Sequence, residues 1–274
     1  MSNKLNDDIN SEDIKSRIIS KKIGRTIYCF SELPSTNDEA KKYVNNIEND
    51  GAVFIASSQL QGKGRLGRKW VSPEGGIYFS VLLMPTIKQE DLSRFYIASS
   101  IAVCLSIEKL YNLKTYIKWP NDIIIENKKV AGILAETLHG TAKQEYLIIG
   151  IGINANSLSS QIPEGSISLW ESSGQFIKRN EIIAMIINKL DYYYDCLNKN
   201  NLQDIYKLWN RHCYQLGLRV AISRNNDIMY GMIMGVDEKS GALLLRTDSG
   251  MMEDIKSADE IKIMGSEYNN DTFS

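Results

Sequence analysis

Between an apolar run at residues 52–56 and another at Ile77–Leu83, the chain carries a run from Gln59 to Trp70 that restricts what it can fold into. Gly62, Gly64 and Gly67 alternate there with Lys63, Arg65, Arg68 and Lys69, and the indole of Trp70 closes the run. Formally this contains G-x-G-x-x-G, but a dinucleotide fingerprint must open a helix whose N-terminus receives the pyrophosphate. Here Ser72-Pro73-Glu74-Gly75-Gly76 leads instead into a second strand-like run, so the loop joins strand to strand. Glycines let the backbone approach a ligand closely, successive N–H groups can face an anion, and the cations add charge-assisted hydrogen bonds. The loop reads as a flexible clamp for a nucleotide or acyl phosphate, mobile when empty, with little to hold its cations until an anion arrives.

A chain of 274 residues suits one large domain with a small one. Its formal net charge of −1 argues against a general nucleic-acid or membrane-surface binder. Cys29, Cys104, Cys196 and Cys213 lack metal-ligand spacing and read mainly as buried thiols of a reducing compartment. His139 and His212 are the only histidines and form no zinc-binding pair. No apolar stretch reaches the roughly 18 residues of a membrane span, and no signal-like core opens the chain. A cytoplasmic protein is expected.

Residues 1–22 are polar, with sparse Ile9, Ile14, Ile18 and Ile19, and read as a loose tail or short helix. Residues 26–33 read as a strand. Ser35-Thr36-Asn37 then opens a helix, with Glu39 as the capping-box partner of Thr36 and Ala40, Tyr43, Val44 and Ile47 on its apolar face. A long helix is expected over 91–110, a strand over 116–122 ending in a Pro-Asn turn, and a hairpin turning at residues 126–129. An apolar strand over 146–153 and helices over 180–198 and 202–213 complete a domain over 23–216. Short strands at 219–223, 228–236, 242–246, 251–255 and 261–264 predict a small all-β barrel or sandwich over 217–266, followed by a polar tail at 267–274.

Chemistry-bearing residues gather at strand ends, where sites are usually built. They are Gln59 with the glycine loop, Lys118-Trp119-Pro120-Asn121-Asp122, Lys129 before Gly132, and Gly150-Ile151-Gly152-Ile153-Asn154. With Ser35-Thr36-Asn37, Ser72-Pro73 before Gly75 and the run from Lys129 to Glu136, these motifs resemble the biotin protein ligases, or biotin–[carboxylase carrier] ligases, in order and spacing. Lys63 stands where that family's loop has arginine, which keeps the charge but loses the planar fork.

The resemblance implies an α+β fold: a mixed β-sheet with helices, of the class II synthetase type, plus a C-terminal SH3-like β-barrel. It implies a two-step reaction on ATP and biotin, with Mg2+, through biotinyl-5′-AMP to a lysine of a biotin carboxyl carrier protein. Lys129 and Arg65 are then the expected catalytic residues. Ser35, Thr36, Asn37 and Gln59, with backbone near Gly132, are expected at the ureido ring. Gly62, Lys63, Gly64, Trp70, Lys118, Asn121 and Asn154 are expected around the nucleotide, and Asp122 is a candidate Mg2+ contact. No DNA or membrane partner is expected, because the DNA-binding domain of the bifunctional members is not recognised here, and the chain is expected to be a monomer or homodimer. A lipoate or octanoate ligase or transferase, and a non-catalytic biotin-binding regulator, are the alternative readings.

Overall fold

The structure, a computed structural model, describes residues 8–85, 92–141, 144–224, 227–237 and 240–264. Helix α1 (Ser11–Arg17) precedes strand β1 (Ile27–Leu33), helix α2 (Thr36–Lys41) and strands β2 (Val53–Gln59) and β3 (Ile77–Leu83). Helix α3 (Leu92–Tyr111) leads into β4 (Tyr116–Lys118), β5 (Asp122–Ile125), β6 (Lys128–His139) and β7 (Glu145–Ile153). Helices α4 (Leu169–Ser173), α5 (Arg179–Asn198) and α6 (Gln203–His212) follow. The chain ends in β8 (Arg219–Arg224), β9 (Asp227–Val236), β10 (Leu243–Thr247), β11 (Met252–Ile255) and β12 (Glu260–Ile263). The expected helix start at Asp91 and the tail over 267–274 lie outside the described residues.

Seven strands form one sheet in the order β1-β2-β3-β7-β6-β5-β4. Only β1 and β2 pair in parallel; the other neighbours are antiparallel. The last five strands form an antiparallel sheet in the order β11-β10-β9-β8-β12. The fold is α+β, a mixed sheet with helices followed by a small antiparallel β module.

Strand periodicity decides where the core and the site lie, because successive side chains leave a strand on opposite faces. In β7, Leu147, Ile149, Ile151 and Ile153 enter the main core with Ile101 and Ile107 of α3 and Ile183, Ile186 and Ile187 of α5. Each such burial is worth about 1.5–3 kcal/mol. The alternate positions Tyr146 and Ile148 pack in a second cluster with Ala40 of α2 and Phe54 of β2. Beyond them on that face come Gly150 and Gly152, so the packing stops and a hollow begins.

Several local expectations need correction. Helix α2 ends at Lys41 rather than running to Ile47, because Asn45 takes a positive φ of 73°; Ile47 is left 73% exposed. Its cap is Ser35, whose hydroxyl accepts from the Asp38 N–H at 3.4 Å, while Glu39 pairs with Lys42 instead of closing a capping box. The segment read as a loose tail or short helix contains α1, capped by the Asn10 side chain, with Ile14 fully buried. In the hairpin, Glu126 and Asn127 supply the positive-φ turn, so Lys129 belongs to strand β6 and not to the turn.

Candidate active site

A pocket of about 140 Å³ opens over the glycine-thinned face of the large sheet. Gly132 and Gly152 face each other across β6 and β7, and the Trp70 ring lies against both. A Cβ at Gly132 would stand 2.9 Å from Trp70 Cζ3, and one at Gly152 2.6 Å from Cε2 and Nε1. A Cβ at Gly150 would collide with Asn37 Oδ1. These glycines make room for an indole and an amide, and the buried Trp70 Nε1–H finds no acceptor among the described residues.

One wall is a neutral hydrogen-bonding cluster. Gln59 Oε1 accepts from Thr36 N at 2.8 Å and Thr36 Oγ1 at 3.2 Å, while Gln59 Nε2 donates to Ser72 Oγ at 2.9 Å. Ser80, fully buried on β3, donates to Thr36 Oγ1 or to Asn37 Oδ1, at 2.7 and 2.5 Å. Asn37 Nδ2 donates to Glu136 at 2.7 Å. Buried amides and hydroxyls held this way are fixed in direction. Ser35 lines the same wall.

The opposite side is cationic. Lys129 Nζ lies 2.7 Å from Asp122 Oδ1 and 5.0 Å from the centroid of the Trp70 ring. Its backbone is fixed by the 165–167 segment: Lys129 N donates to Gly165 O and Lys129 O accepts from Ile167 N, both at 3.0 Å. Asn121 is set by a two-way bond with Ile133, giving Nδ2 to Ile133 O at 3.1 Å and accepting from Ile133 N at 3.0 Å. The glycine loop forms the rim as a small hairpin, with Trp70 N donating to Gly62 O and Gly64 N to Arg68 O. Leu66 and Gly67 turn it at φ values of 55° and 72°.

Contrary to the sequence reading, two loop cations have partners without any ligand. Lys63 Nζ is 2.6 Å from Asp38 Oδ1, and Arg65 donates to Asn121 Oδ1 at 3.4 Å and Ala258 O at 3.3 Å. The Ala258 contact brings the C-terminal module to the pocket, where Asp259 joins the lining.

The structure therefore gathers Ser35, Thr36, Asn37, Gln59, Lys63, Gly64, Arg65, Trp70, Asn121, Asp122, Lys129 and Gly132 around one pocket. Three expected residues are not in its lining. Lys118 is exposed at the end of β4. Gly62 is buried beneath the loop, where a Cβ would strike Trp70 O. Asn154 directs its amide to the carbonyls of Lys129 and Ile167 at 3.5 and 3.4 Å, which clips strand β7 to the 165–167 segment. Sequence reasoning missed Ser80 and Asp259, which only the fold brings near, and named Glu136 only as the end of a motif, without a role. Gly150 and Gly152 had a usable signal: glycines two apart in an apolar strand empty one face.

Residues 29–154 match the Biotin/lipoate A/B protein ligase family, and residues 216–259 match the Biotin protein ligase C terminal domain. The bifunctional ligase/repressor BirA of Bacillus spizizenii is 32% identical over 92% of this chain and 78% of that protein. The biotin–[acetyl-CoA-carboxylase] ligase of Paracoccus denitrificans is 27% identical over 81% of this chain and 94% of its own length. Among solved structures, the biotin protein ligase from Aquifex aeolicus in complex with biotin and ATP aligns with a TM-score of 0.76 and 28% identity. That alignment covers 87% of this chain and 99% of the other. With the catalytic and C-terminal parts matched in order and full-length relatives matched over most of their length, the chain belongs to the biotin protein ligase family.

Proposed function

We propose that the protein converts biotin and MgATP to biotinyl-5′-AMP and pyrophosphate, then transfers biotin to a lysine of a biotin carboxyl carrier protein or domain. The observation that carries this reading is one pocket with a fixed neutral wall and a cationic opposite side. The wall, built on Thr36, Asn37, Gln59 and Ser80, presents the donors and acceptors that a ureido ring needs and an aliphatic ring system lacks; an unmatched cargo would leave them unpaired. Ser35 and the backbone at Gly132 border the same end.

In the first step the biotin carboxylate oxygen attacks the α-phosphorus, and the P–O bond to pyrophosphate breaks. Both reactants are anions, so cations fixed beforehand lower the barrier, each raising the rate by roughly 10²–10³-fold. Lys129 takes the position between carboxylate and phosphate, with Asp122 holding its ammonium in place. Arg65 and Lys63 cover the phosphate from the loop, with Gly64 giving backbone access. Asn121 and Trp70 serve the nucleotide. In the second step the acceptor amine attacks the acyl carbonyl, the C–O bond to AMP breaks, and the amine loses its proton.

Among the described residues no group of three or more His, Cys, Asp or Glu side chains could hold a metal ion, and Asp122 is already paired with Lys129. Mg2+ belongs here as part of the ATP substrate, bound mainly by phosphates and water.

The test is ATP–pyrophosphate exchange. Exchange should require biotin and Mg2+ together, and transfer should follow when a carrier domain is added. Exchange supported equally by lipoate, or absent with biotin in a folded sample, overturns the assignment.

A further inference from the structure

A line of ion pairs joins the glycine loop to helix α2, and nothing in the two steps above requires it. Asp38 Oδ1 lies 2.6 Å from Lys63 Nζ and 3.3 Å from Lys41 Nζ. Lys41 is also held by Glu136 at 2.8 Å, the same carboxylate that accepts from Asn37. Partial burial raises the Asp38 carboxyl, but Lys63 and Lys41 outweigh that and hold it below its usual value. Lys63 lines the pocket and Asp38 does not, so the carboxylate holds the ammonium from outside the cavity.

We infer that Asp38 is the resting counterion of Lys63 and acts as a positioning residue, setting how readily the loop releases a phosphate-bearing ligand. The inference rests on the adenylate reading above. A phosphate in the pocket and Asp38 compete for one ammonium. The exchange leaves no stranded charge, because Asp38 retains Lys41 when Lys63 leaves and Lys41 retains Glu136. The Lys63 and Asp38 side chains are 42% and 36% exposed, and ion pairs of this exposure bias an equilibrium by a factor of about 1.5–5. Asp38 thus keeps the bound intermediate exchangeable, where an unopposed Lys63 would hold it longer.

The experiment measures dissociation of labelled biotinyl-5′-AMP from the full chain in the parent, Asp38→Asn, Asp38→Glu, Lys63→Met and the double variant Asp38→Asn with Lys63→Met. Asp38→Asn should release the adenylate about 1.5–5-fold more slowly at low salt, with the difference shrinking as salt rises. Asp38→Glu should restore the parent rate. In the Lys63→Met background, Asp38→Asn should have no effect, and dissociation of biotin alone should be the same with or without Asp38. Parent-like or faster release in Asp38→Asn overturns the inference, as does slowing that persists without Lys63, since it would then be structural or long-range. A parent that does not bind biotinyl-5′-AMP overturns the ligase reading first; a parent that binds it and an indifferent Asp38→Asn removes only the role of Asp38.

Discussion

The two faces of β7 differ in one respect, and that difference separates stability from chemistry. Toward α3 and α5 the strand presents Leu147, Ile149, Ile151 and Ile153, all buried in the main core. Toward α2 and the glycine loop it presents Tyr146 and Ile148, then Gly150 and Gly152, against which Asn37 and Trp70 lie. The backbone is shared, so the face that floors the pocket is held rigid by the face that packs. A pocket floor made of glycine in a loop would carry its own entropy; in a central strand it is fixed by ladders on both sides.

The largest expected effect tests the packed face. Ile151→Ala should lower unfolding free energy by about 2–5 kcal/mol in urea titrations; a loss well under that range would mean that the helices can close over the gap. On the open face, Lys129→Ala should reduce biotin-dependent pyrophosphate exchange by about 10²–10³-fold, while stability falls by only about 1 kcal/mol as the half-buried Asp122 loses its partner. Lys118→Ala, outside the pocket, should leave exchange at the parent rate, and a loss there equal to that of Lys129→Ala would move the role to the wrong lysine. Gly152→Val should cut exchange about 10²-fold by pushing Trp70 off its floor, again without unfolding. If Gly152→Val unfolds the chain, the two faces are not separable.

The smallest effect sharpens the same contrast from behind the sheet. His212 on α6 bonds Glu108 of α3 at 3.1 Å and the Leu208 carbonyl at 2.7 Å. Burial lowers the imidazole, but Glu108 and that carbonyl outweigh it and raise it above 6.5. A raised folded-state value means that its stabilisation is complete below the unfolded value and is lost as pH climbs through the folded one. Burial raises Glu108, but His212 and Thr115 outweigh it and hold it below 4.5, so its share is present above that value and is lost as pH falls. The urea midpoint should therefore decline above pH 6.5, and His212→Gln should flatten that decline. An unchanged slope would place the titrating group elsewhere.

How far the sequence was legible follows from which signals are local. The apolar run of β7 announced a strand, and Ser35-Thr36-Asn37 announced the start of α2, though not which of the three caps it. The end of α2 was not legible: Tyr43 and Val44 continue a helical period but pack against the second cluster from a turn, because Asn45 takes positive φ. Lys129 read as a turn lysine because Glu126 and Asn127 are not the usual Asn-Gly pair of a two-residue hairpin. Ser80, Glu136 and Ala258 are ordinary in sequence. They acquire meaning only from neighbours 44, 99 and 193 positions away, a distance that no local pattern encodes.

Gln215 holds Trp119 like a strand partner made from a side chain, accepting from its N–H at 2.9 Å and donating to its carbonyl at 3.3 Å. Gly217 then bonds Ile233 of β9 at 2.8 Å, so the span from Gln215 to Arg219 is anchored at both ends. Through it the C-terminal sheet is placed where Ala258 O meets Arg65 at 3.3 Å. One inserted residue lengthens an extended chain by about 3.3 Å, as much as that whole contact. The connector between the modules thus works as a ruler for the contact between Ala258 and a loop arginine, and insertions that a surface linker would ordinarily tolerate should here be read out at the loop before any loss of fold.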